Sequence, residues 1–168
     1  MPDINSLAKR IDAEFAAVEK KVKKLQSEQV DQQKQRENRL EQLNQMFDQL
    51  QDIWRPRLEL LVKKFGDRVQ TTPRIVPSTR EVTFEFQSRV ARVRLKLSAF
   101  TDRDVQKVIL NYNLEIIPVL MQFKNHDEIE FPLNAVDKEA VAKWIDDRLV
   151  DFVQTYFSMG ESDIYLKD

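Results

Sequence analysis

The residues best suited to chemistry are a single histidine and its acidic neighbours. His126 is followed by Asp127 and Glu128, and imidazole with carboxylates is a combination that binds metal ions. Adjacent residues in a turn seldom converge on one ion, however, and the chain has no second histidine and no cysteine to complete a typical ligand set. We therefore expect His126 to lie in a structural turn from Asn125 to Asp127, without a metal.

A second candidate is a group of carboxylates near the end of the chain. Asp146, Asp147 and Asp151 surround Arg148 and are the residue type used in acid–base catalysis. Adjacent positions of a helix point about 100° apart, so the first two carboxylates do not face each other. The group is typical of a solvated helix face, and no Ser-His-Asp or Cys-His spacing accompanies it. We expect no catalytic residues and a protein that is not an enzyme.

Basic side chains form the third candidate, a partner surface made of Arg89, Arg92, Arg94 and Lys96. The last three alternate along one face of a predicted strand. A nucleic-acid platform needs aromatic side chains on that same face, whereas Phe84 and Phe86 belong to the opposite, buried set. Glutamates on the adjoining strands supply partners, so we expect mostly paired surface charge, with binding of an anion or protein partner as the alternative, and no nucleic acid.

Composition excludes several classes of protein. Without cysteine there are no disulfides or thiolate metal sites, and two glycines are too few for a phosphate loop or a dinucleotide fingerprint. We therefore expect no cofactor. The chain has no apolar signal region and no run of eighteen apolar residues, which favours a cytoplasmic protein that does not enter a membrane.

These candidates must be positioned by a long helix and a sheet. Residues 1–66 are predicted to be a helical arm, kinked or broken near Pro56, because apolar residues recur at steps of three and four. The two apolar runs, separated by a polar segment, are Ile4, Leu7, Ile11, Phe15, Val18, Val22 and Leu25, then Leu40, Leu43, Phe47, Leu50 and Trp54. We expect the first run, the second run or both to form a coiled coil that joins at least two chains, with a dimer favoured. The alternative is an antiparallel hairpin within one chain, turning near Val30–Arg39.

Residues 67–168 are predicted to form a small α+β domain. A linker over 67–79 precedes three or four antiparallel strands, recognised by alternating apolar and polar residues from Val82 onward. Asp137 then caps an amphipathic helix over 137–159, whose apolar side covers one face of the sheet.

From this layout we expect a non-catalytic, oligomeric adaptor protein. The arm self-associates, and the sheet domain presents a surface to an unidentified protein partner. The alternative is a ligand-binding or enzymatic domain with a pocket between the sheet and helix 137–159. The residues expected to line that pocket are Tyr112, Tyr156, Met121 and Phe123.

Overall fold

The computed structural model describes residues 3–88, 91–117 and 123–158, with the side chains of residues 123 and 124 outside that description. The elements in chain order are helix α1 (Ile4–Phe65), a single 3-10 turn (Gly66–Arg68), strands β1 (Val69–Val76), β2 (Thr79–Phe86), β3 (Arg92–Thr101), β4 (Lys107–Ile117) and β5 (Phe123–Pro132), and helix α2 (Lys138–Tyr156). The chain divides into two compact units, Met1–Asn38 and Arg39–Asp168. We call them the helical unit and the sheet unit.

Helix α1 is 62 residues long and continuous, so the hairpin alternative with a turn near Val30–Arg39 is wrong. The polar segment there is rich in Gln, Glu, Lys and Arg, which lose little side-chain freedom in a helix. The helix also runs through Pro56 without a break. Pro56 has no N–H to donate to the carbonyl oxygen of Asp52, four residues earlier. In the same turn the Nη1 of Arg57 donates to the carbonyl oxygen of Ile53 at 2.9 Å.

The described strands form one antiparallel meander in the order β1-β2-β3-β4-β5. The α+β class and the antiparallel sheet are confirmed, but the strand count of three to four is wrong. The fifth strand is β1, which lies within the predicted linker, where the sequence indicated at most a short strand at Arg74–Val76, and which pairs with β2 over its whole length. Its Pro73 is tolerated because β1 is at the edge of the sheet, where a missing donor costs little. The interval Asn125 to Asp127 belongs to β5 and is not a turn.

One face of the sheet carries the core, and helical residues from both ends of the sheet unit cover it. A single helix is about 10 Å across, whereas five strands span roughly 20 Å, so α2 alone cannot cover this face. The second cover comes from α1, whose buried residues are Leu43, Phe47, Leu50, Leu61 and Phe65. Those of α2 are Val141, Ile145, Phe152 and Tyr156. The part of α1 from Arg39 onward therefore belongs to the sheet unit.

Two local signals from the sequence have clear outcomes. The side chain of Asp137 accepts hydrogen bonds from the backbone N–H groups of Glu139 and Ala140, which confirms the predicted cap of α2. Gly66 follows the last residue of α1 with a φ of 60°, the left-handed conformation that ends helices. Two further sequence signals lie outside the described residues: Gly160, which the sequence predicts to terminate α2, and Pro118, which predicts a bulge, an edge position or a strand break.

A tight turn joins β3 to β4 and is held by a carboxylate. Asp102 accepts hydrogen bonds from the backbone N–H groups of Gln106 at 2.7 Å and Lys107 at 3.1 Å. Desolvation by itself raises the pKa of Asp102, but these bonds, with that of the Thr101 hydroxyl, outweigh it and hold the pKa below its ordinary value. Val105 in this turn has a φ of 56° and is fully buried, so its packing stabilises a strained backbone.

Candidate functional site

The first apolar run of α1 forms a continuous exposed stripe in the helical unit. Its members are between 45% and 80% exposed, although each is a large hydrocarbon side chain. We call this set the apolar stripe: Ile4, Leu7, Ile11, Phe15, Val18, Val22 and Leu25. Because all seven recur at helical spacing within one unbroken helix, they present a single surface about six turns long. A contiguous exposed apolar surface of this kind is typical of interaction sites.

The second apolar run has a different position. Leu43, Phe47 and Leu50 are completely buried and pack in the sheet unit against Val108 and Leu110 of β4, among others. The flanking members Leu40 and Trp54 are half-buried in the same cluster. The side chains of this run thus form part of the intramolecular core of the sheet unit.

An open apolar groove lies in the sheet unit between α1 and the inner face of the sheet edge, with a volume of about 640 Å³. Trp54, Leu58 and Val62 form the helix wall. The opposite wall includes the inner-face residues Pro73 and Ile75 of β1, and Ile75 is 70% exposed. The groove exists because β1 extends the sheet beyond the width that the two helices cover.

The polar residues of the groove lie mostly at its rim. Arg80 is fixed in place, since its Nη1 donates to the carbonyl oxygen of Val76 at 2.7 Å and its Nη2 to Oδ1 of Asn44 at 3.3 Å. Arg55 and Lys63 are exposed on the α1 side of the groove, two turns apart with Glu59 between them. The groove thus offers a hydrocarbon wall with cations at its edge.

The groove also reaches Trp144 and Ile145 of α2, so it lies partly between the sheet and helix 137–159, but Tyr112 and Tyr156 do not line it. Tyr112 and Tyr156 are buried in the core, with 0% and 1% of their surface exposed. The hydroxyl of Tyr156 donates to the carbonyl oxygen of Gln87 at 2.9 Å. Met121 and the side chain of Phe123 lie outside the described residues. Phe65 of α1 packs edge-on against Tyr156, with ring centroids 5.0 Å apart.

Tyr112 carries the strongest electrostatic perturbation among the described residues. Burial raises the pKa of its phenol to about 12, and the nearby Asp151 carboxylate adds to the increase while Arg148 opposes it. Its hydroxyl has no hydrogen-bond partner among the described residues. A buried hydroxyl without a partner is costly, so this side chain is retained at some expense of stability.

A polar network between β5 and α2 was not recognised from the sequence. Asp127, whose cross-strand partner is Tyr112, lies on the core side of the sheet. Its Oδ2 accepts from Nε1 of Trp144 at 2.9 Å and from Nη1 of Arg148 at 2.5 Å. Arg148 also pairs with Asp151 at 2.9 Å. The one available signal was the alternation of side chains along the strand. Asp127 lies an even number of residues before the apolar residues that follow it in β5, so it points to the same face of the sheet as they do.

The predicted catalytic and metal candidates are engaged in local contacts. Asp146 pairs with Arg57 of α1 at 2.7 Å, which joins the two helices. His126 lies in a strand and not in a turn, and its Nε2 is 2.8 Å from Nδ2 of Asn111. The same amide nitrogen donates to Glu128 at 3.1 Å. Within the described ranges, no three His, Cys, Asp or Glu side chains come together in a way that would hold a metal ion.

The basic partner surface lies on the outer face of the sheet, opposite the core. Arg94 donates from both Nε and Nη2 to Oε1 of Glu85, at 3.2 and 2.9 Å. Lys96 pairs with Glu81 at 2.7 Å. Arg92 is exposed. Arg89, the fourth predicted member, lies outside the described residues. Cross-strand pairing thus engages two of the cations, and their role toward a partner stays a prediction.

No described helix combines the length and apolarity that a membrane crossing needs. The chain matches no family model, and a comparison with curated proteins finds no similar one. Function is therefore inferred from the surfaces of the two units.

Proposed function

We propose that the protein is a non-catalytic interaction protein that self-associates through the apolar stripe of its helical unit and presents its sheet unit to a protein partner. The observation that carries the proposal is the exposure of all seven stripe residues along an unbroken helix. An isolated helix is marginal in water, and most helical stability in proteins comes from packing of an apolar face. A second copy of the stripe supplies that packing.

The magnitudes are sufficient for association. Full burial of a large apolar side chain contributes ~1.5–3 kcal/mol, and roughly half of each stripe residue is exposed before pairing. Pairing therefore contributes roughly 1 kcal/mol for each side chain, or about 14 kcal/mol for two stripes. Association costs about 4–15 kcal/mol in lost freedom, so a weak to moderately tight complex is expected.

The test is the mass of the full chain in solution, measured by light scattering at tens of micromolar. The wild type is expected to have at least twice the mass of one chain, and the double substitution Ile11→Asp with Val18→Asp is expected to have the mass of one chain. The matched control is Ala13→Asp with Ala16→Asp, which adds the same charge at positions about 140–160° from the centre of the stripe. A monomeric wild type, or equal loss in the control, would contradict the proposal.

A second candidate function rests on the groove. Its volume is in the range of small-molecule sites, ~300–1,000 Å³, and its walls are mainly hydrocarbon. Arg55 and Lys63 at the edge favour a ligand with an anionic end, so we propose a long-chain fatty acid as the class of ligand. This candidate is independent of the apolar stripe.

Trp54 lines the groove and provides the readout. Titration with a fluorescent fatty acid is expected to show energy transfer from tryptophan that saturates at one ligand per chain. Leu58→Lys places a charge in the groove wall and should abolish saturable binding, whereas Ile117→Lys on the outer face of the sheet should leave it unchanged. Equal binding to both variants would mean that the ligand does not occupy this groove.

A further inference from the structure

The apolar stripe has an ordered row of charges along one of its sides. Taking 100° per residue, Asp3, Arg10, Glu14 and Lys21 all lie about 60–100° to the same side of the stripe centre. All four are exposed, and none of them forms an ion pair within the described part of its own chain. Along the row the charges are negative, positive, negative and positive. When a second copy of the row runs in the reverse direction, each charge therefore meets an opposite charge.

From this pattern we propose that two copies of the helical unit pair in antiparallel orientation along the stripe, an inference that rests on the self-association proposed above. When one helix is reversed, the row of one copy meets the row of the other. Asp3 then lies beside Lys21 of the second copy, and Arg10 lies beside Glu14. Each pair occurs twice because the arrangement has a twofold axis, which gives four attractive contacts.

The apolar residues are aligned by nearly the same register. Reversing one helix about a point midway between Ile11 and Phe15 places Ile4 opposite Val22 and places Leu7 within one residue of Val18. Six of the seven stripe residues thus meet an apolar partner. The register that pairs the apolar residues and the register that pairs the charges differ by one to two residues, which is about 2 Å along the helix. Arg and Lys side chains are long enough to span that offset.

A parallel pair is electrostatically unfavourable. When two helices pair in parallel, a residue beside the stripe on one helix lies nearest to a residue on the opposite side of the partner's stripe, about five positions further along the sequence. Glu14 would then face Glu19 of the second copy, and this like-charge contact would occur twice. In the antiparallel pair the like charges nearest each other are the two copies of Asp12, which make one repulsive contact against four attractive ones. At about 100° from the stripe centre the short Asp12 side chains do not reach each other, whereas the longer Arg10 side chain reaches Glu14 of the second copy.

The absence of cysteine in the chain allows a direct test of orientation in the full-length protein. Ile4→Cys and Val22→Cys are prepared as separate variants, oxidised alone, and oxidised as an equal mixture. In the antiparallel pair the Cα atoms of the two copies of residue 4 are roughly 27 Å apart at 1.5 Å per residue, too far for a disulfide, which needs Cα atoms within about 7 Å. The mixture is expected to form covalent dimer at least about tenfold faster than either variant alone.

The outcomes separate the two proposals. If the mass is that of one chain, self-association itself fails. If the mass is that of a dimer and Ile4→Cys links readily to itself, the orientation is parallel and only the antiparallel arrangement fails; a trimer or larger complex also overturns it. As a second measurement, Arg10→Glu should weaken the dimer about three- to tenfold, and adding Glu14→Arg should restore it, because the charges are exchanged across the antiparallel pair.

Discussion

Replacing Leu50 by alanine tests whether the second apolar run of α1 is core. Leu50 is fully buried in a cluster with Phe47, Leu110 and Ile145. Deleting a buried leucine side chain costs about 2.7–5.0 kcal/mol, because transfer energy is lost and a cavity remains. With a urea dependence of about 2 kcal/mol per molar, a loss of about 3–4 kcal/mol lowers the unfolding midpoint by roughly 1.5–2 M.

The assay is urea unfolding followed by tryptophan fluorescence. Trp54 and Trp144 both lie in the sheet unit, so the signal reports that unit alone. Leu60→Ala is the control, since Leu60 is in the same helix but is 55% exposed, and its midpoint should shift by less than about 0.3 M. Measurements at several protein concentrations separate this effect from self-association. If Leu50→Ala shifts the midpoint no more than Leu60→Ala, the placement of α1 against the sheet is refuted.

Three further predictions concern particular residues of the sheet unit. Because the pKa of Tyr112 is raised, its contribution to stability is intact below about pH 10 and is lost as pH rises toward 12. In Tyr112→Phe the free energy of unfolding should therefore fall less steeply between these pH values than in the wild type. The same variant should cost little at pH 7, because the hydroxyl has no partner among the described residues. The lowered pKa of Asp102 gives the opposite pH dependence: its contribution to folding stability is present above the ordinary pKa of Asp and is lost as pH falls below it. In Asp102→Asn the free energy of unfolding should therefore depend less on pH below about pH 4. Gly66→Ala should cost about 1–2 kcal/mol in urea melts, since a Cβ there meets no atom within 4 Å but the φ of 60° disfavours any side chain with a Cβ.

Hydrophobic spacing predicted the type of most elements but not what covers their apolar faces. The period of α1 and the alternation of β2, β3 and β4 were enough to identify a helix followed by an antiparallel sheet. Most of strand β1 was missed because Pro73 and Pro77 are turn signals when taken locally, whereas pairing with β2 decides the outcome. The same applies to His126, whose polar neighbours indicate a turn but whose backbone pairs with Asn113 in β4.

The position and lining of the groove, and the Asp127 network, could not be predicted because both depend on packing between segments that are distant in the sequence. The groove arises from the difference between the width of the sheet and the width of the helices, and the strand count at the sequence level was too small to show that difference. The network brings Asp127 to Trp144 and Arg148, which are 17 and 21 residues away along the chain. No local spacing rule links strand and helix positions in this way.

The two apolar runs of α1 show why spacing alone does not identify an interface. Both have steps of three and four, and Leu43 and Ile11 are equivalent by that criterion, yet one is fully buried within the chain and the other is 46% exposed. The difference is whether another element of the same chain packs against the run. The inner face of the sheet needs a second helix, and the run nearest to it in sequence supplies one, which leaves only the first run without a partner. The polar segment between the runs separates a helix that stabilises its own fold from a helix available to a second copy. Self-association is thus expected from residues 4–25 alone, and the Asp substitutions at Ile11 and Val18 should dissociate the chains while leaving the sheet unit folded.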